Sequence, residues 1–216
     1  MGRPKESERQ DVRALILDRA RKLFYEEGYG KITVRRIARE IGYSPATIYL
    51  YFRNKDEILY ELHNEGFRLL YQYKMRVERG TGDAVDRLHR GGRVYIDFAL
   101  ENPEYYEVMF NMPEPRDFMQ KHMDSAREEG RGDYAMLSYH FLRESAQALQ
   151  KEGFFPDVDV DVAAFSFWAM VHGVVSLIIR KRIPYPQAPT KELAYQVLDF
   201  YMAGFAGQGG REDPGG

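Results

Sequence analysis

The chain is predicted to be all-α: an N-terminal three-helix domain carrying a helix-turn-helix, followed by a larger helical bundle. Three observations predict this architecture. Helix-start signals crowd together between Thr33 and Glu57, apolar residues elsewhere recur at helical spacing, and no alternating strand pattern competes anywhere in the 216 residues.

The elements follow in order. Ser7 and Gln10 have the spacing of a capping box, opening a first helix whose apolar stripe is Val12, Leu15, Ile16, Ala20, Leu23 and Phe24. Gly28-Tyr29-Gly30 reads as a loop between helices. Thr33 is a good N-cap, and Ile32 and Ile37 take the N′ and N4 positions of a hydrophobic staple. Ile37, Ala38 and Ile41 then point inward, with Arg35, Arg36 and Arg39 elsewhere on the surface. Gly42 stands where a left-handed residue ends the helix. Ser44 caps the next helix, Pro45 takes its first position, where a missing N–H costs nothing, and Tyr43 and Ile48 repeat the staple. Asn54 and Glu57 resemble a capping box for a third start.

Beyond Lys55 the pattern is helix after helix. A long helix from about Lys55 to about Arg79, ended by Gly80 and Gly82, joins the two parts. Another runs to Leu100, Asn102-Pro103 restart the chain, and Pro113 and Pro115 break it again. Residues 116–130 carry no clear signal. Helices then run from about Tyr134 to Lys151, about Asp159 to Arg182 and about Thr190 to Phe205, the last two joined by a turn stiffened by Pro184, Pro186 and Pro189. The tail GQGGREDPGG is expected to be disordered. The domains are therefore 1–56, 57–206 and the tail 207–216.

Composition narrows the function classes. There is no cysteine, which removes disulfides, thiolate metal sites and a cysteine nucleophile and suits a reducing cytoplasm. MGRPKESERQ has no apolar run and does not read as a signal peptide. Residues 1–60 hold 13 Lys+Arg against 9 Asp+Glu, and the remainder 18 against 24, a basic head on an acidic body. Arg3 and Lys5 fit either a phosphate-touching arm or a solubilising tail. Val162 to Ile179 approaches the length of a membrane span, but His172 within it and the acidic start and basic end favour a buried helix of a protein that does not enter a membrane. This helix is expected to pack on the core with one side and on a second copy of itself with the other, Val175 lying in that seam.

The helix-turn-helix carries the functional reading. Ser44, Pro45, Ala46, Thr47, Tyr49 and Tyr51 are expected on the outer face of its second helix. Small residues at a helix start let the backbone approach a major groove closely. Ala46 and the Thr47 methyl suit a thymine methyl, and the hydroxyls suit phosphates or base edges. Thr33, Arg35 and Lys55 would hold the DNA backbone on either side. Read singly, Tyr49 and Tyr51 fit packing between helices equally well.

The phrases TVRRIAREIG, SPATIYLYF and NKDEIL, with RALILDRARKLFYEEGY ahead of them, resemble the N-terminal domain of TetR-type (tetracycline-repressor-like) transcriptional regulators. By position, the resemblance implies DNA contacts at Thr33, Arg35, Ser44, Pro45, Ala46, Thr47, Tyr49, Tyr51 and Lys55. Leu50 is apolar where that family often has an aromatic. The resemblance further implies a homodimer, an all-helical C-terminal domain and control by a small ligand. The run Trp168-Ala-Met-Val-His-Gly173 resembles the WHG-type C-terminal regulatory domain of the same family, and NPEYYEVMF the helix that precedes its pockets. Gly173 fits close helix approach at a dimer seam or simple tolerance, and His172 fits the core, the interface or a ligand contact.

The body is rich in aromatic and methionine side chains, the usual lining of pockets between helices and also of ordinary cores. Phe98, Met109, Phe110, Tyr139, Phe167 and Trp168 are the expected lining of a site for a largely apolar or aromatic effector. No catalytic set, cofactor motif or metal site is expected. There is no P-loop, G-x-G-x-x-G or G-x-S-x-G, and His140 with Glu144, one helical turn apart, are two ligands where a metal site needs more. The expected function is a repressor released from a palindromic operator by an effector; a DNA-binding regulator with no ligand is the alternative.

Overall fold

The computed structural model describes residues 6–76, 82–112, 133–184 and 190–206, and every regular element among them is a helix. The contacts divide the chain into two units. The first is Met1–Arg68 with Glu104–Asp133, and the second Leu69–Pro103 with Tyr134–Gly216. The division falls inside a helix rather than at residue 56, because apolar residues beyond that point belong to the core of the first unit.

In the first unit, α1 (Glu6–Glu27) already includes Ser7, where the sequence placed the helix start. Its buried stripe is Ile16, Leu17, Ala20, Leu23 and Phe24, whereas Leu15 is exposed, one position off the inward face. A single 3₁₀ turn (Tyr29–Lys31) leads to α2 (Val34–Glu40), α3 (Pro45–Tyr49) and α4 (Lys55–Lys74). Ile32, Ile37, Ile48, Phe52, Ile58, Leu59 and Leu62 close over the α1 stripe, all of them almost fully buried. Helix α6 (Pro103–Phe110) completes this core through Val108 and begins at the proline the sequence pointed to. It is held to α1 by Arg21, whose guanidinium donates to Glu104 at 2.8 Å and stacks 4.5 Å over the Tyr105 ring. The Sδ and Cγ of its Met109 occupy the space a side chain at Gly66 would need.

The second unit is built from the end of α4, α5 (Ala84–Glu101), α7 (Tyr134–Lys151), α8 (Val160–Ile179) and α9 (Thr190–Ala206). Asp83 caps α5 by accepting the Asp86 N–H at 2.8 Å, and Asp159 caps α8. Helix α5 packs on α7, α8 and α9, and α8 packs on α7 and α9. Gly92 lets α5 and α9 approach, since a Cβ there would lie 2.9 Å from the Leu198 methyls. Helix α4 ends at Lys74 rather than near Arg79: Met75 and Arg76 form a turn, closed by an Arg76 N–H to Tyr73 carbonyl bond of 3.2 Å. Gly80, Pro113, Pro115, residues 116–130, Pro186, Pro189, Arg3, Lys5 and the tail lie outside the described residues.

Helix α8 is the one described helix long and apolar enough to cross a membrane, with a third of its most apolar window buried. Ala163, Ala164, Phe167, Val171, Val175 and Ile178 face the core, so Val175 is not a seam residue. The outward face carries Val162, Phe165 and Leu177, each more than half exposed, and open space at Gly173. Phe200 on α9 is also exposed, at 83 %.

Candidate nucleic-acid interface and ligand cavity

The helix-turn-helix is assembled by local bonds. Thr33 Oγ1 accepts the Arg36 N–H at 3.1 Å. Helix α2 ends in a left-handed Gly42 (φ 72°), with the Tyr43 N–H on the Ala38 carbonyl at 3.0 Å and the Gly42 N–H on the Arg39 carbonyl at 3.3 Å. These two bonds satisfy carbonyls the helix would otherwise leave open. Ser44 Oγ accepts the Thr47 N–H at 3.2 Å and meets Thr47 Oγ1 at 3.0 Å, with Pro45 at the first position of α3. At α4, Asn54 Oδ1 accepts the Glu57 N–H at 2.8 Å, but the Glu57 carboxylate reaches back to the Arg53 N–H rather than to that of Asn54.

These bonds fix what faces outward. Ser44 and Ala46 are exposed, Pro45 and Thr47 half-buried, and Tyr49 and Leu50 the most prominent side chains, at 55 % and 75 % exposure. Tyr51 is half-buried against the core of the unit rather than fully on the outer face. Thr33 and Arg35 are exposed, and Arg35 makes no ion pair among the described residues. Arg36 is instead committed to Glu40 at 2.7 Å and Glu27 at 3.2 Å. Lys55 is not an open cation. Its ammonium donates to the carbonyls of Tyr29 at 2.8 Å and Ile32 at 3.0 Å and sits 3.8 Å from the centroid of the Tyr29 ring. Burial lowers its pKa, against the opposing pull of Asp56. The Tyr29 hydroxyl donates to Asp56, and burial with that carboxylate pushes its own pKa up. Lys55 and Asp56 thus clamp the 3₁₀ turn onto the start of α4.

The second unit holds a cavity of about 40 Å³, room for only a few waters. Helices α7 and α8 supply Phe141, Phe167 and Trp168, α5 supplies Tyr95, and α9 supplies Leu198 and Met202. Of the six expected lining residues, Phe167 and Trp168 are here. Phe98 is buried against the Tyr73 ring, Met109 and Phe110 belong to the first unit, where Phe110 packs on Phe67, and Tyr139 is drawn to Asp161 by its hydroxyl at 3.3 Å. The polar edges around Trp168 meet one another: its Nε1 donates to Tyr95 Oη at 3.2 Å, and that oxygen lies 3.3 Å from His172 Nδ1. Burial first, and Arg180 second, lower the His172 pKa, favouring a neutral ring.

The sequence reading missed Lys74, which lines this cavity. The signal was its place in a row with Leu62, Gly66 and Leu70 at four-residue spacing, all buried on α4. Among the described residues no group of His, Asp or Glu is arranged to hold a metal.

Residues 16–62 match the family described as "Bacterial regulatory proteins, tetR family", and residues 88–201 match "Tetracyclin repressor-like, C-terminal domain". An HTH-type transcriptional repressor of Mycobacterium tuberculosis is 47% identical over 53 residues, 24% of this chain and 28% of that protein. The fatty acid metabolism regulator protein of Bacillus subtilis is 44% identical over 50 residues, 23% of this chain and 26% of that protein. The matched stretch therefore spans little more than a quarter of these relatives' lengths. The solved structure of a bacterial regulatory protein in the tetR family from Rhodococcus RHA1 has the same fold, with a TM-score of 0.70 at 19% identity over 90% of this chain and 96% of that one. Because the C-terminal match alone spans more than half of its residues, the chain belongs to the tetracycline-repressor-like family of bacterial regulatory proteins, which are DNA-binding transcriptional regulators and not enzymes.

Proposed function

We propose that the protein is a homodimeric repressor that binds a palindromic operator and releases it when a largely apolar effector enters the second unit. The observation that carries the DNA reading is the outward row Ser44, Ala46, Tyr49 and Leu50 on a capped helix, beside the exposed Arg35. Ser44, Pro45, Ala46 and Thr47 would approach the groove floor and Tyr49 its wall. Thr33, Arg35 and the remaining donor of Lys55 would meet phosphates, with Tyr51 reaching them only past its own packing. Such a regulator works in the cytoplasm, beside the chromosome.

Selection of a random duplex pool at a stated salt concentration tests the reading. A recovered palindrome with half-sites one DNA turn apart supports it; salt-sensitive but sequence-blind binding refutes it. Tyr49→Ala is expected to weaken operator binding by about 1–3 kcal/mol with an unchanged melting temperature. Unchanged affinity in a gel-shift titration would remove Tyr49 from the interface.

The second copy is proposed to cover the outward face of α8 and α9. Val162, Phe165, Leu177 and Phe200 leave too much apolar surface there for a lone chain. Phe165→Glu is expected to give monomers by light scattering and to lose operator affinity at least tenfold. A dimer that persists moves the seam elsewhere.

The modest cavity volume favours one rival, a regulator with no effector. A broad compound library that neither shifts the melting temperature nor releases operator would select it. For the effector reading, the adaptable Met170 and Met202 are the side chains that would move to admit a ligand.

A further inference from the structure

Lys74 is 8 % exposed, and it lines a cavity whose other lining residues are mainly apolar and aromatic. Its partner is neutral: Nζ donates to the Ser138 carbonyl at 2.7 Å. The Phe141 ring lies 5.8 Å away, and among the described residues no carboxylate pairs with Lys74. Burying a cation without a counter-ion is costly, and proteins seldom keep one unless something pairs with it. Burial lowers the Lys74 pKa only to about 8, so the group still carries its charge at neutral pH. An ammonium has three donors, and one is used here.

A second group beside it is also unspent. The hydroxyl of Ser138, the residue that holds Nζ through its carbonyl, is buried with no hydrogen-bond partner among the described residues. By contrast, Ser145 donates to the Phe141 carbonyl at 3.0 Å, and Trp168, Tyr95 and His172 bond among themselves. The unsatisfied polarity here therefore lies at Lys74, which lines the cavity, and at Ser138, which is bonded to Lys74 although it is not itself one of the lining residues.

We propose that the cavity binds an amphipathic carboxylate, its head on the Lys74 ammonium and the Ser138 hydroxyl and its apolar body between Phe167, Trp168, Leu198 and Met202. One cation and one hydroxyl match the single charge and two oxygens of a carboxylate. A phosphate would leave a second negative charge buried and uncovered. This inference rests on the reading of the second unit as an effector site and names the effector's class.

The test uses the full-length protein and two matched pairs of probes, decanoate with decanol and 4-phenylbutyrate with 4-phenylbutanol, titrated calorimetrically at pH 7. In the wild type, at least one acid is expected to bind about tenfold or more tightly than its alcohol. In Lys74→Met and Lys74→Gln that preference falls to within about threefold, while the alcohol's affinity stays put. Ser138→Ala, which removes only an unpartnered hydroxyl, is expected to weaken the acid alone. Equal binding of acid and alcohol by the wild type, or a preference that survives in both Lys74 variants, overturns the carboxylate assignment while leaving an apolar effector in place. Failure of all four probes also overturns it. A neutral compound that releases operator would then keep the effector reading alive, and a broad library with no active member would end both.

Discussion

Ile48→Ala is expected to abolish operator binding even though Ile48 faces away from the solvent side of the helix-turn-helix. Helix α3 is five residues long and has one buried side chain, Ile48, which is fully enclosed. A helix that short has no stability of its own and persists only through its packing and caps. Removing the branched chain leaves a void under α3 and is expected to cost about 2–5 kcal/mol. The loss falls on the element that sets Ala46 and Tyr49 in place, so thermal stability and operator affinity should drop together. Leu50→Ala is the control: Leu50 is 75 % exposed, so its truncation should move stability by no more than about 0.5 kcal/mol. An Ile48→Ala protein with wild-type melting and wild-type operator affinity would show that α3 is held by something other than this contact.

Lys74→Met is expected to stabilise the protein by roughly 1–4 kcal/mol at pH 7, since an apolar chain of similar length replaces a buried, unpaired cation. The pH dependence has a definite sign. Below about pH 8 the ammonium is charged in both the folded and the unfolded chain, so the whole desolvation cost is borne by the native state. Between about pH 8 and the ordinary lysine value of 10.5, the folded chain gives up this proton while the unfolded chain keeps it. Wild-type stability should therefore rise relative to Lys74→Met across that window, and the gap should close at its upper end. Urea unfolding of both proteins at pH 7 and pH 9.5 measures it. A variant less stable than the wild type at pH 7 would mean that Lys74 stabilises the native chain.

The parts of the fold that were legible in the sequence are those fixed within a few residues. Thr33, Gly42, Ser44 and Pro45 each act through bonds to near neighbours, and the structure has all of them in the expected roles. The misreadings have longer-range causes. Val175 and Phe165 share the apolar run of α8, and only the placement of the neighbouring helices decides that the first is buried and the second exposed. Met109 and Phe110 have the composition of a pocket lining, yet Gly66 and Phe67 claim them for the first unit. Lys74 drew no notice in the sequence, and it is tertiary packing that buries it. The bonds from the Lys55 ammonium to the carbonyls of Tyr29 and Ile32 also join residues more than twenty positions apart, which no local pattern announces.

The core of the first unit sets a rule for anyone who would cut or recombine this chain. Ile58, Leu59 and Leu62 lie past residue 56, and Val108 returns from α6 after the whole of α5 has intervened. A fragment ending at residue 56 would expose the inner face of α1 to water and should be recovered as an aggregate. Extending it to Arg68 would restore the first three residues but not the fourth. A chimera that transplants this operator specificity onto another sensor therefore has to bring a discontinuous graft, with the α6 surface rebuilt to receive Arg21 and Gly66.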